Sequence, residues 1–495
     1  PGEGGDEATV SLRHARRGHS DAPHLHGRSP VAARGGHGHD HVTAEVQSDL
    51  RSFLPPGSVL DGTPAAYLAD ETETRGVNGR ADAVVLPENV EEVAKVVAWC
   101  YERGVAIVPR GGGTGFAAGA VPLDGGVVVS LERLTRVRSF DPLLWRIWVE
   151  AGLRTAELRR IVRQNGLFFP PDPGAAEQSQ IGGNIATNAG GPHAFKYGVT
   201  GAWVTGLEAV LPPGEIVSLG GAIRKDVAGY DLKSLLIGSE GTLGIVTAAW
   251  LRLLPAPEAS YPVAAFYPSA EEGCTAIEAV LGNGLVVAAL EYLDGSTLRA
   301  AGPAFPAHVP AAARFLVVAE ADGSEAEAAG MRAVLLDVLR DQALAVHAPQ
   351  ETAAIEALWR WRDGVSIAVS AQLGGKVSED IVVPLDRLAE AIDETLAIGN
   401  RHGLSACSWG HAGDGNLHAT FLVSPGNVDE LGRAGAAAEE LFVLAVSLGG
   451  SVTGEHGVIV DKRGRQQWPA RKAALMTSVK DALDPRGLMN PGKKI

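Results

Sequence analysis

The chain has 495 residues, 45% of them hydrophobic, and a net charge of −15, enough to bury a large core and to divide into two or three domains. That acidity argues against nucleic acid or an anionic membrane as a principal partner, and no apolar run nears the roughly 20 residues needed to span a bilayer. Cys100, Cys274 and Cys407 form neither a CxxC pair nor a disulfide framework and read as buried small residues of a reducing compartment. The expectation is a cytoplasmic protein without a transmembrane segment, with peripheral attachment to a membrane left open.

Residues 1–41 hold seven of the 14 histidines (His14, His19, His24, His26, His37, His39 and His41) and almost no large apolar residues. Such a segment buries too little surface to offset its ordering entropy and is expected to be a disordered tail, either a metal-binding stretch or a non-native extension. Helical patterning begins at Thr43, so the ordered chain is expected to start near Val42.

From Ala81 the pattern turns α/β. Asp82–Pro87 reads as a short strand, Glu88–Arg103 as a helix with Val90, Val93, Val96, Val97 and Cys100 on one face, and Val105–Pro109 as a second strand. A glycine loop, Arg110-Gly-Gly-Gly-Thr114-Gly115-Phe-Ala-Ala-Gly119, precedes the strand Val127–Leu131. Gly113, Gly115 and Ala118 fit the spacing of a dinucleotide fingerprint, but Gly119, Pro122 and the Asp124-Gly-Gly turn leave no room for the helix that fingerprint must open. The loop therefore reads as backbone N–H groups cupping an anion.

Two more glycine-rich blocks follow. One runs Ile181-Gly-Gly-Asn184-Ile-Ala-Thr187-Asn188-Ala-Gly-Gly191, where Asn184, Thr187 and Asn188 offer neutral groups suited to a polar ring edge. The other runs from Lys225 through Gly229-Tyr-Asp-Leu232 to Gly238-Ser-Glu-Gly-Thr-Leu-Gly244-Ile245. Three such blocks suit one long cofactor lying across a domain.

Near the end stand Gly410-His411-Ala-Gly-Asp414-Gly-Asn416-Leu-His418 and Gly454-Glu455-His456-Gly457. Two imidazoles and a carboxylate suit a divalent transition metal, with His456 left for proton transfer. Residues seven apart on a straight strand face opposite ways, so His411 and His418 can share an ion only if Gly413–Gly415 turns the chain. Alone, the cluster reads equally as satisfied loop histidines.

Taken together and in order, Pro109–Gly115, Ile181–Gly191, Gly229–Leu232, Gly238–Gly244, Gly410–His418, Gly454–Gly457 and Asn490-Pro-Gly-Lys493 resemble one family. It is the FAD-linked oxidases and dehydrogenases of the vanillyl-alcohol-oxidase-like (PCMH-type FAD-binding) superfamily. The branch is the one holding the glycolate oxidase FAD subunit, D-lactate dehydrogenases and D-2-hydroxyglutarate dehydrogenases. The resemblance covers the chain from about Val42 to its end.

The resemblance implies an α+β fold: a two-part FAD-binding domain and a cap domain built on an antiparallel sheet flanked by helices. Residues 42–255 would bind FAD, 256–460 would form the cap, and 461–495 would return to the FAD domain. Arg110, Gly111, Gly112, Gly113, Thr114 and Gly115 would hold the FAD pyrophosphate. Gly182, Gly183, Asn184, Thr187, Asn188, Gly241, Thr242, Gly244 and Ile245 would lie along the rest of the cofactor. Thr114 stands where covalent members carry a histidine, so the FAD is expected to be non-covalent.

For the chemistry, the resemblance implies a carboxylate clamp of Arg362, Ser366 and Lys376, Arg gripping bidentately and Lys adding a point charge. Arg360, beside them, is a further clamp candidate, and Arg360 and Lys376 read alternatively as a solvated helix face. His411, His418 and Glu455 would hold a divalent metal (Zn, Mn or Fe), and His456 would be the general base. Thr420 stands where hydroxyglutarate-type members tend to carry Asn, which favours a lactate- or glycolate-like 2-hydroxy acid. No Cys-rich iron–sulfur segment is present, so electrons would leave to a quinone, an electron-transfer flavoprotein, an iron–sulfur subunit or oxygen. A homodimer is left open. The competing readings are a non-catalytic or partner-dependent FAD subunit, and a member acting on another alcohol.

Overall fold

Asparagine and glycine set the limits of the first expected helix. In the computed structural model, which describes residues 36–72, 77–458 and 468–494, that helix spans Val90–Arg103. The Asn89 side chain accepts from the Glu92 N–H, Gly104 closes the other end at φ 71°, and the Val90/Val93/Val96/Val97/Cys100 face is buried. An earlier helix, Gly36–Phe53, begins upstream of the expected Val42 start. Extending an existing helix adds a hydrogen bond per residue, so weak helix formers such as Gly and His can join its first turns. The rest of the tail, residues 1–35, and residues 461–467 of the expected C-terminal segment lie outside the described residues.

The first half carries β1 (Ala83–Val85), β2 (Ile107–Arg110), β3 (Val127–Ser130), β4 (Val137–Asp141), β5 (Arg146–Glu150), β6 (Leu167–Phe168), β7 (Val204–Leu211), β8 (Glu215–Gly220), β9 (Ile245–Arg252) and β10 (Leu254–Pro255). A parallel sheet runs β1–β3–β2 and an antiparallel sheet runs β4–β5–β9–β7–β8. The parallel strands are continuous Val/Ile runs because both their faces are covered. Residues 488–494 pack against this half: Asn490 donates to the Ile107 carbonyl at 2.7 Å, and Lys493 Nζ to the carbonyls of Gly119 and Val121.

The second half is one seven-stranded antiparallel sheet made of β11 (Ala259–Tyr267), β12 (Ala289–Asp294), β13 (Phe315–Gly323), β14 (Ala345–His347), β15 (Gly375–Val382), β16 (Ala406–His411) and β17 (Asn416–Val423), in the order β14–β11–β13–β12–β16–β17–β15. Side chains alternate between its faces. Val263, Ala265, Tyr267, Phe315 and Val317 meet long helices through Ile277, Leu335, Ile392 and Phe442, while Ala264, Phe266, Leu316 and Val318 meet Leu358, Trp361 and Val365. The chain is thus α+β, with an FAD-type half and an antiparallel cap.

Candidate active site

One cavity of about 880 Å³ runs between the two halves and collects nearly every residue expected to be functional. At one end lies the loop after β2. The N–H groups of Gly112, Gly113, Thr114 and Gly115 donate to no other described residue, so they form an open set of donors for an anion. The glycines are required by contact: a Cβ on Gly112 would lie 2.2 Å from the Gln178 carbonyl oxygen, and one on Gly182 would lie 2.7 Å from Ala151 Cβ. At Gly115 and Gly183 nothing stands within 4 Å, leaving the open space that a cofactor cradle needs.

Some side chains of this group serve the scaffold instead. Arg110 lines the cavity, but its guanidinium donates to the carbonyls of Ala66, Ala69 and Ala120 and fixes the loop. Residues Ile181–Thr187 form a short helix in which Asn184 Nδ2 bonds Thr155 Oγ1 at 2.7 Å and the Thr187 hydroxyl donates to the Gly183 carbonyl. Asn188 Oδ1 accepts from the Gly201 N–H and Thr242 Oγ1 donates to the Ser239 carbonyl; both lie outside the cavity lining. Asn184, Thr187 and Asn188, expected to read a ring edge, thus each already have a partner within the protein, and of the three Asn184 and Thr187 line the cavity.

At the other end the chain turns as the two-histidine reading demanded. His411 ends β16, Ala412–Asp414 form a single 3₁₀ turn, and Gly415 at φ 67° starts the return into β17. Only glycine fits there, because a Cβ on Gly415 would stand 2.0 Å from the Val383 carbonyl oxygen. The His411 and His418 rings meet edge to face with centroids 5.4 Å apart, and His418 stacks on His456 at 5.2 Å. Glu455 Oε1 lies 3.4 Å from His411 Nε2, 3.6 Å from His418 Nε2 and 3.5 Å from His456 Nε2.

Burial and charge give these groups different states. Burial pushes the His418 pKa down to about 3, leaving a neutral ring, and its Nδ1 is buried without a hydrogen-bond partner. Burial also opposes charge on His411, but Glu291 and Glu455 outweigh it and hold its pKa well above the ordinary value. Glu455 is held well below the carboxylate range, against burial, by His411 and His456. A neutral imidazole, a second imidazole and an anionic carboxylate, with ligand atoms all within 4.8 Å of one another, could hold a small divalent transition ion. Asp380 lies near His418 and His456, but its Oδ2 already accepts from Thr453 Oγ1 and the N–H groups of Gly454, Glu455 and His456. Asp380 therefore seats the Glu455–His456 loop.

The clamp candidates face the same cavity from the cap. Lys376 on β15 donates to the Ser366 hydroxyl and, at 2.9 Å, to the Ser366 carbonyl, and lies 5.3 Å from the Trp409 ring centre. Burial lowers its pKa to about 8. Arg362, at the end of the helix Thr352–Asp363, is less free than expected: its Nε donates to Glu291 at 2.8 Å, its Nη2 donates to the same carboxylate, and Glu291 in turn accepts from His411 Nδ1 at 2.6 Å. Arg360 is exposed on its helix, whereas Lys376 is half-buried on a strand and not on a solvated helix face.

Sequence reasoning missed Glu291 and Asp380, both fully buried on cap strands. It also missed His193, whose ring nitrogens bond Asp172 at 2.5 Å and Glu320 at 2.6 Å, joining the FAD-type half to the cap. The available signal was an acid inside an otherwise apolar strand, as in Ala289-Leu-Glu291-Tyr-Leu.

Residues 81–220 match the family described as FAD binding domain, and residues 256–494 match FAD linked oxidases, C-terminal domain. The glycolate oxidase subunit GlcD of Bacillus subtilis is 35% identical over 91% of this chain and 97% of its own length. The chain belongs to the FAD-linked oxidases. A D-lactate dehydrogenase of Anaerostipes hadrus is 30% identical over 91% of this chain and 97% of its own, and a D-2-hydroxyglutarate dehydrogenase of Xanthomonas citri pv. viticola is 36% identical over 83% and 88%. In fold, this FAD-linked oxidase is similar to p-cresol methylhydroxylase, with a TM-score of 0.75 at 17% identity, covering 93% of this chain and 97% of that one. It is an oxidoreductase with an FAD-binding domain. No helix among its described residues is long and apolar enough to cross a membrane.

Proposed function

We propose that this FAD-linked oxidase converts a small 2-hydroxy acid, of the D-lactate or glycolate type, to the 2-oxo acid. The observation that carries the proposal is the meeting, in one cavity, of the donor loop at Gly112–Gly115, the Lys376–Ser366–Arg362 group and the His411–His418–Glu455–His456 cluster. Bound, non-covalent FAD supplies the hydride acceptor. Lys376 and the cationic end of Arg362 hold the substrate carboxylate, and His456 takes the hydroxyl proton at its ring nitrogen. His411 Nε2, His418 Nε2 and Glu455 are the atoms that would hold a divalent metal, which would lower the pKa of a hydroxyl beside it.

The substrate preference rests on Thr420. Its hydroxyl is fully buried and paired at 2.8 Å with Oγ of Ser378, which lines the cavity, so this part of the wall presents no amide. A short monocarboxylate suits that wall better than a dicarboxylate. Electrons would pass to a quinone, an electron-transfer flavoprotein, an iron–sulfur subunit or oxygen, with the chain in the cytoplasm. The name of the Bacillus subtilis relative, a subunit, favours a partner chain as recipient. The test is turnover of the purified chain with an artificial dye as sole acceptor and D-lactate, L-lactate, glycolate and D-2-hydroxyglutarate offered separately. Dye reduction by one of the short acids supports the proposal. Reduction by none of the four overturns it in favour of another alcohol or a partner-dependent subunit.

A further inference from the structure

We infer that Glu291 is a positioning residue that locks the carboxylate clamp and the metal-binding histidine into one unit, so that Arg362 serves Glu291 as well as the substrate. This inference rests on the metal reading proposed above and deepens it. Glu291 lies on β12 directly opposite His411 in the β12–β16 ladder, so strand register alone brings the two side chains together. Its carboxylate has no solvent exposure, and its two oxygens are divided between two different elements. Oε1 accepts from His411 Nδ1 at 2.6 Å, while Oε2 accepts from Arg362 Nε at 2.8 Å and from Nη2.

The His411 bond has a chemical consequence. A carboxylate can only accept, so Nδ1 must carry the proton, and Nε2 is the nitrogen left to face Glu455 and His418. Metal-ligating histidines generally depend on such a partner for tautomer and ring orientation, and losing it costs about 10–100-fold in metal affinity. The Arg362 bonds add a second constraint. The guanidinium approaches from the end of the helix Thr352–Asp363, a different element from the hairpin that carries His411. A plain buried counter-ion for Arg362 would not need its other oxygen on the histidine, whereas an orienter needs both.

Replacing Glu291 by Gln separates these duties without changing size. An amide has one accepting oxygen and one donating nitrogen, so it cannot accept from His411 and Arg362 at once. Facing the NH₂ toward His411 forces the Nδ1 proton to Nε2 and blocks the metal-facing nitrogen. Facing it toward Arg362 sets donor against donor and releases the guanidinium.

The experiment is equilibrium dialysis of the holoenzyme against buffered Zn²⁺, read by elemental analysis, with flavin absorbance and circular dichroism reporting the fold. Glu291→Gln is expected to bind zinc about 10–100-fold more weakly with flavin content retained. Arg362→Gln, which keeps Glu291 but removes its clamp, is expected to lose about tenfold in zinc affinity as well as raising KM, so the coupling is tested even if Glu291→Gln does not fold. Lys376→Met is expected to raise KM and leave zinc affinity at the parent value. Zinc affinity unchanged in both Glu291→Gln and Arg362→Gln overturns the inference while leaving the metal site standing. A parent enzyme that takes up no zinc overturns the metal reading itself, and this inference with it.

Discussion

The two ends of the cavity do their work with opposite materials. The FAD-type end is made of backbone: Gly112 and Gly182 matter because they lack a Cβ, and the N–H groups of Gly112–Gly115 matter because no other described residue claims them. The cap end is made of charge: Glu291, His411 and Arg362 are buried and Glu455 half-buried, each paired with another of the four, while the half-buried Lys376 bonds Ser366. On the proposed reading, a change at the first end should act by steric contact on cofactor binding. A change at the second leaves a buried partner unsatisfied and acts on chemistry.

The sharpest way to break this contrast is His456→Ala. It should lower kcat by about 10²–10⁴-fold while the visible flavin spectrum and cofactor content stay at parent values. Loss of flavin on that change would put the histidine in the cofactor cradle instead. Next in size is Lys376→Met, which should weaken substrate binding by about 1.5–3 kcal/mol, seen as a raised KM. Because burial brings the Lys376 pKa down to about 8, the ammonium is present below that pH and lost above it. The parent's kcat/KM should therefore fall as pH rises through 8, and Lys376→Met should lose that limb of the profile.

Gly112→Ala probes the other end. Its Cβ would meet the Gln178 carbonyl oxygen, so FAD affinity should drop by about 1–3 kcal/mol, measured by cofactor titration of deflavinated protein. Once saturated with FAD, the variant should turn over near the parent rate. The smallest effect is reserved for Arg360→Ala, on the same helix as Arg362 but exposed. Stability should stay within about 0.5 kcal/mol of parent, and KM should not move. A raised KM would mean the clamp had been assigned to the wrong arginine.

The cradle was legible in the sequence because its determinants are local. Runs such as Gly111-Gly-Gly-Thr-Gly115 carry their geometry in consecutive residues, and Pro122 with the Asp124 turn is enough by itself to exclude a following helix. The hairpin was legible for the same reason, since Gly415 is the residue that lets His411 and His418 converge. Glu291 and Asp380 were not, because their partners are reached through strand register: Glu291 stands opposite His411 and Asp380 opposite His418, far apart in the chain. Asn184 and Asn188 differ in the opposite sense. Their amides looked available, yet Thr155 and the Gly201 N–H claim them, and no local pattern announces either partner.

The most direct test of the central claim is the anaerobic visible spectrum of the purified flavoprotein as D-lactate and glycolate are added in turn, before and after chelator treatment. Bleaching of the flavin by one of these acids, abolished by chelation and restored by added Zn²⁺, is the expected result. A flavin that stays oxidised with both acids, metal present, would contradict the account.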